Sequence, residues 1–246
     1  MTKPPEPQLR LLIGASSYVD ARPALQLAER LAETLAGDLG GLLIEDIIVA
    51  EVIDMPRQRV VTSSGTLVMA PTRQQVRNLT ESDARAFRES LSGLAQNKAR
   101  KWSFERGHGD LVSGLCAAAT GWDILLLGHR EIHRQAGKVV LIAPPAAAPQ
   151  RATELATHLS RALQTDLIAL SVDPADTGTG AQHDGGFATD SAMLAYIDRT
   201  NAAAVVLDLS AGPLHSHDQL RQLLAVARCP VLVLGADAAP AAEPAQ

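Results

Sequence analysis

Aromatic side chains are scarce in this chain: three Phe, two Tyr and two Trp, 3% of 246 residues. That excludes a core of large rings. The interior has to be filled by the aliphatic residues, chiefly Ala and Leu, that bring the apolar fraction to an ordinary 46%. Cysteine is nearly absent. Cys116 and Cys229 each lie in an apolar stretch, so they read as buried thiols in a reducing compartment and not as a disulfide framework. Positive charge is also short. Twenty-two Lys and Arg face 27 Asp and Glu, a formal net charge of −5, which offers no long-range attraction to phosphate backbones or anionic lipid. Nucleic acid and membrane surfaces are therefore not the expected partners.

Long hydrophobic runs are missing as well. The longest uncharged apolar run, Val139 to Ala148, is too short and too broken by proline to span a bilayer. The start, Met-Thr-Lys-Pro-Pro-Glu-Pro, has no apolar signal core, and the expected location is the cytoplasm. Residues 1–8 and 236–246, rich in Pro, Ala and Glu, are expected to be disordered tails. No Ser-His-Asp arrangement, nucleophile elbow or Walker lysine loop occurs, so nucleophilic and phosphoryl-transfer catalysis have no motif behind them.

What the chain does contain is a repeat. Leu11 to Gly14 is a short apolar run of strand type; Ala24, Leu25, Leu27, Ala28, Leu31 and Leu35 follow at helical spacing, and Leu39 to Ile44 forms a second strand. Val139 to Ala143 opens the same pattern again. Ala152, Leu155, Ala156, Leu159 and Leu163 give its helix and Asp166 to Val172 its second strand, shifted by about 128 residues. A second match, Asp110–Gly128 with Asp190–Asp208, has a shift of about 80 residues. The change in shift means that copy two has lost a middle portion, which in copy one holds a helix at Glu81 to Lys101 and a strand at Trp102 to Arg106. Copy two alone continues through a helix, Asp218 to Ala227, into a last strand, Pro230 to Leu234. Strands that are continuous aliphatic runs alternating with helices predict a doubly wound, parallel, Rossmann-like α/β sheet. The copies span 9–135, with an insertion at 47–80, and 138–235. The sequence leaves open whether they form separate sheets or complete one another.

The order of these elements resembles the universal stress protein family. The resemblance rests on Leu11 to Asp46, on Trp102-Ser103-Phe104-Glu105-Arg106-Gly107, on Asp110 to Gly128, and above all on the closing strand Arg228-Cys229-Pro230-Val231-Leu232-Val233-Leu234. It implies a tandem, degenerate member with a stress-related regulatory or small-ligand-binding role, acting on an unidentified protein partner. It also implies a homodimer paired through the last strand, Val231 to Leu234. ATP-binding members of that family end the first strand in aspartate and follow the fourth with a glycine-spaced loop, whose bare N–H groups approach phosphate. Here Ala15 and Pro144 stand where the aspartate would. The loops read Gly128-His129-Arg130-Glu131-Ile132-His133 and Ser210-Ala211-Gly212-Pro213-Leu214-His215, without that spacing. The expectation is a non-catalytic protein with no cofactor. A protein that binds ATP or another nucleotide, or hydrolyses it weakly with Glu45, Asp46, Ser17 and His129, is one alternative; a ligand-free scaffold is the other.

Ligands of open α/β sheets bind beyond the carboxyl ends of the strands. In copy one those ends bring together Ser16, Ser17, Glu45, Asp46, Gly107, Gly109, Gly128, His129 and Arg130, a set able to hold a small polar ligand. The plainer reading is that the serines and Asp20 cap the following helix, the glycines turn the chain and the charges are solvated. Within the insertion, Arg57, Arg59, Ser63 and Ser64 form a candidate anion site, or else part of a hairpin or lid. His129 with His133, and His215 with His217, suggest metal ligands by spacing, but no cysteine or carboxylate completes a set, and no metal is expected.

Overall fold

The computed structural model describes residues 9–31, 37–45, 59–61, 67–69, 71–96, 100–128, 137–144, 150–173 and 185–238, with 59–61 and 67–69 described by backbone alone. In chain order the elements are β1 (Leu11–Ala15), α1 (Tyr18–Leu31), β2 (Leu39–Glu45), β3 (Arg59–Val61), β4 (Leu67–Met69), α2 (Arg73–Gln96), β5 (Trp102–His108), α3 (Leu111–Ala117) and β6 (Ile124–Leu127). There follow β7 (Lys138–Ile142), α4 (Gln150–Leu163), β8 (Leu167–Val172), β9 (Gly186–Phe187), α5 (Asp190–Arg199), β10 (Ala202–Asp208), α6 (His217–Ala227), β11 (Val231–Leu234) and a 3₁₀ turn, Ala236–Ala238.

Nine strands form one sheet in the order β5-β2-β1-β6-β11-β10-β7-β8-β9, and β3 pairs with β4 as a separate antiparallel hairpin. β1, β6 and β11 are buried at every residue, as central strands covered on both faces must be. β5, at one edge, alternates between half-buried and exposed residues. The pairings are parallel throughout the sheet except one: β11 runs parallel to β10 but antiparallel to β6. The sheet thus consists of two half-sheets, β5-β2-β1-β6 and β9-β8-β7-β10, wound alike and joined through β11. Helices α1, α2 and α4 cover one face and α3, α5 and α6 the other.

The helix positions follow the predicted apolar spacing. α1 buries Ala24, Leu25, Leu27, Ala28 and Leu31, with Ala21 in addition, and α4 buries Ala152, Leu155, Ala156 and Leu159. With so few aromatics, one pair is used where leverage is greatest: Phe87 of α2 meets Phe104 of β5 edge-to-face at 5.4 Å, holding the longest helix onto the edge strand.

Several expectations need correction. Val231 to Leu234 is not a free edge for pairing with a second chain; both its sides are already bonded within the chain, and the half-sheets complete one another through it. The long helix begins at Arg73, inside the expected insertion, because the polar run Arg73 to Asp83 propagates as helix without needing burial. β5 extends to His108. A short strand falls in the expected linker, since Gly186–Phe187 pairs with Ser171–Val172. Ala236 is buried in the 3₁₀ turn, so the ordered chain runs past 235. Residues 1–8 and 239–246 lie outside the described residues. No helix among those described is long and apolar enough to cross a membrane.

Candidate functional site

Each half-sheet reverses its winding at one point, between β1 and β6 in the first and between β7 and β10 in the second, and a crevice is expected beyond the carboxyl ends there. Because β11 joins the halves antiparallel, the two switch points face opposite edges of the sheet.

At the first switch point the chain leaves β1 through Ser16 and Ser17. Both hydroxyls donate to Asp20 Oδ2, at 3.2 and 2.6 Å, and the Asp20 N–H donates back to Ser17 Oγ at 3.2 Å. This is a reciprocal start to α1, satisfying backbone groups that a helix end leaves open. Gly128, ending β6, donates its N–H to the Gly14 carbonyl at 2.7 Å. A Cβ at Gly128 would lie 2.6 Å from the Asp20 carbonyl oxygen, so the first turn of α1 closes directly over the end of β6. Ser16, Ser17 and Gly128 are thus brought together, with the serines turned to capping.

Glu45 belongs to a second cluster further out along the same edge. Its Oε1 accepts from Arg106 Nε at 3.0 Å and Nη2 at 2.7 Å, while Arg106 Nη1 donates to Glu81 at 2.9 Å and His108 Nε2 lies 3.6 Å from Glu45 Oε2. The Arg106 hydrogen bond and charge hold the Glu81 carboxyl below its usual range, and the two carboxylates raise the guanidinium in return. Gly107 lies in β5 between Arg106 and His108, and the Gly109 N–H donates to the Glu45 carbonyl at 3.0 Å. The cluster ties α2 to the ends of β2 and β5. Asp46, His129, His133 and Arg130 lie outside the described residues, as do Arg57, Ser63 and Ser64; Arg59 opens β3 of the hairpin.

At the second switch point the matching positions are Pro144, after β7, and Asp208, the last residue of β10. Asp208 is 9% exposed, and its Oδ1 accepts from the Ser210 N–H at 2.9 Å and the Ser210 hydroxyl at 2.6 Å. Sequence reasoning passed over it. The available signal was an aspartate ending a buried strand with serine two residues on, the pattern of an Asx turn. His215 is exposed and His217 is buried in the first turn of α6; no group of three potential metal ligands occurs among the described residues.

One ionic cluster joins the halves. Asp110 caps α3 by accepting from the Ser113 N–H at 2.8 Å, and Arg221 of α6 donates to Asp110 Oδ1 from Nη2 at 2.7 Å and Nε at 3.1 Å, and to Ser113 Oγ at 2.7 Å. The Arg221 hydrogen bonds bring the Asp110 carboxyl down to about 2, against the opposing effect of burial. Both cysteines are free and buried; desolvation pushes the Cys116 thiol up to about 11 and that of Cys229 to about 12, leaving neither as a nucleophile near neutrality.

Fold and edges together define a three-layer α/β protein with two back-to-back half-sheets. No protein-family model matches the chain, and no curated protein sequence does. Solved structures do, universal stress proteins among them. One from Archaeoglobus fulgidus aligns over 92% of this chain and 95% of its own, at 12% identity and a TM-score of 0.49. A universal stress protein from Pseudomonas aeruginosa aligns over 92% of both chains, at 11% identity and a TM-score of 0.46. An Arabidopsis thaliana family protein with AMP bound covers 70% of this chain and 97% of its own, at 9% identity and a TM-score of 0.31.

Proposed function

We propose that the chain is a universal-stress-protein-like regulatory module, two diverged copies of one unit fused around a shared strand, that acts by binding and not by turnover. The like winding of the two half-sheets about β11 supports the two-copy origin. The observation that carries the functional reading is that, among the described residues, the polar groups at each switch point are already bonded to one another. In the first half the serine hydroxyls bond to Asp20 and the α1 backbone presses on Gly128. In the second, a nearly buried aspartate stands where the sequence match places Gly128. A phosphate there would meet a carboxylate and a hydroxyl already bonded to each other, where nucleotide recognition needs open N–H groups.

The test is thermal denaturation of the whole chain with ATP, ADP, AMP, cyclic nucleotides or zinc, since selective binding to the native state raises its melting temperature. No shift at saturating ligand is expected, together with no phosphate release from ATP. A nucleotide-specific shift lost in Ser17→Ala, or phosphate release lost in Asp46→Ala and His129→Ala, would overturn the reading in favour of the nucleotide-using alternative.

A further inference from the structure

The opposite, amino-terminal edge of the first half-sheet holds a cavity that none of the residues above explains. It has a volume of about 320 Å³, open to solvent, at the starts of β1, β2 and β5 and the turn before β6. Small-molecule sites run from about 300 to 1,000 Å³, so the space suits a ligand of one or two rings. Both tryptophans of the chain, Trp102 and Trp122, line it, in a protein with only seven aromatic residues.

The cavity arises from local sequence. Trp102 opens edge strand β5, whose next residue, Ser103, pairs in register with Gly40 of β2. Trp122 follows the turn after α3, and the far edge of its indole lies over Gly40, where a Cβ would approach the ring to 2.6 Å. Glycine at 40 therefore admits the indole, and the small Ser103 on the neighbouring edge strand leaves open space beside it. α3 ends at Ala117 and its buried residues, Val112, Leu115 and Cys116, pack further along the sheet, so the indole covers this corner instead.

The polar lining gives the space a sign. Arg10 and Lys101 both line it, and the Lys101 ammonium, unlike the Lys101 carbonyl that accepts from the Leu39 N–H at 3.0 Å, has no ion-pair or hydrogen-bond partner among the described residues. Asp38 also lines the cavity. Arg10 is shared with Asp123, whose Oδ2 accepts from the Arg10 backbone N–H at 2.8 Å and lies 3.8 Å from Arg10 Nε, and Arg151 adds a cation 3.5 Å from the other oxygen of Asp123. Among the residues that line the cavity, two cations, Arg10 and Lys101, thus stand against one carboxylate, Asp38. Ser103 and Thr120 add hydroxyls to the lining. The flat indole of Trp122 beside a net positive lining suits a planar ring bearing one negative charge.

We propose that this cavity is a binding site for a small aromatic anion, a one- or two-ring carboxylate or phosphate ester, stacked on Trp122 beside Gly40, with its charge at Lys101 and Trp102 at the rim. The site is independent of the switch points, so its existence does not depend on the regulatory reading above.

The chain supplies its own reporter, because both tryptophans lie in the site and nowhere else. Tryptophan emission of the full chain, excited away from tyrosine, is titrated with benzoate, phenyl phosphate and the neutral analogue benzamide. Saturable changes are expected for an anion, with benzamide at least about tenfold weaker, and with affinity falling as salt is raised. Lys101→Ala removes an exposed side chain, and should weaken the anion several-fold while leaving the melting temperature unchanged. Trp102→Phe keeps a ring and should retain saturable binding read from Trp122. A preference for benzoate assigns a carboxylate and one for phenyl phosphate assigns a phosphate ester, and either supports the site. A linear, non-saturating response to both anions, equal binding of benzamide, or no effect of Lys101→Ala would overturn it.

Discussion

At the residue scale the most telling groups are polar ones buried or half-buried at the ends of strands and helices, because each must find a partner or lower the stability of the fold. Asp110 illustrates the energetics. It caps α3 and accepts from Arg221, and its carboxyl is held at about 2 from an ordinary 3.8. A folded value below the unfolded one contributes stability above the unfolded pKa, and that contribution disappears as pH falls through the folded value. Asp110 is largely solvent-accessible, so screening reduces the effect to about 1 kcal/mol. Asp110→Asn keeps a capping oxygen but removes the charge. It is expected to lower stability by about that amount near neutral pH and by much less near pH ~2, as read from urea midpoints at the two pH values. Of the candidate site residues, Ser16 and Ser17 were readable from sequence as caps of α1. The Asp208–Ser210 bond and the Trp102–Trp122 cavity were not. The first lay in a local pattern that was passed over, and the second needs the indole of Trp122 to lie over Gly40 of a strand distant in sequence.

At the element scale, β11 is the decisive piece. It comes last in the chain, yet it stands in the middle of the sheet and bonds to both halves. Leu232 is fully buried on the face covered by α1, α2 and α4. Leu232→Ala is expected to cost about 2–5 kcal/mol, and the loss should appear equally in far-UV circular dichroism and in tryptophan emission, although both tryptophans belong to the first half. Coincident midpoints would establish β11 as a strand shared in the unfolding unit; a shift in circular dichroism with an unmoved tryptophan transition would show that the halves melt separately. The helices were legible because burial of one stripe imposes a period on the sequence, and α1 and α4 follow it residue by residue. The start of α2 was not, since its first turns are exposed and show no apolar period to read.

At the scale of the whole molecule the two half-sheets are one structure. Without β11, β6 would present Leu125, Leu126 and Leu127 on an open edge, the kind of strand that pairs with whatever is near. A fragment covering 9–137 should therefore associate or aggregate when made alone, and mixing it with 138–238 should restore a complex of the size of the intact chain, measured by size-exclusion chromatography. A well-behaved monomeric 9–137 would contradict the shared-strand architecture. The sequence alone determined the α/β class, the alternation of elements, the aliphatic interior and the match between the two halves, since each is written in local apolarity and period. The antiparallel joint at β11, the opposed switch points, the partners of Asp208 and Glu45 and the seat of Trp122 over Gly40 were decided only by tertiary structure. Strand direction and side-chain encounters depend on which distant segments pair, and neighbouring residues do not encode that choice.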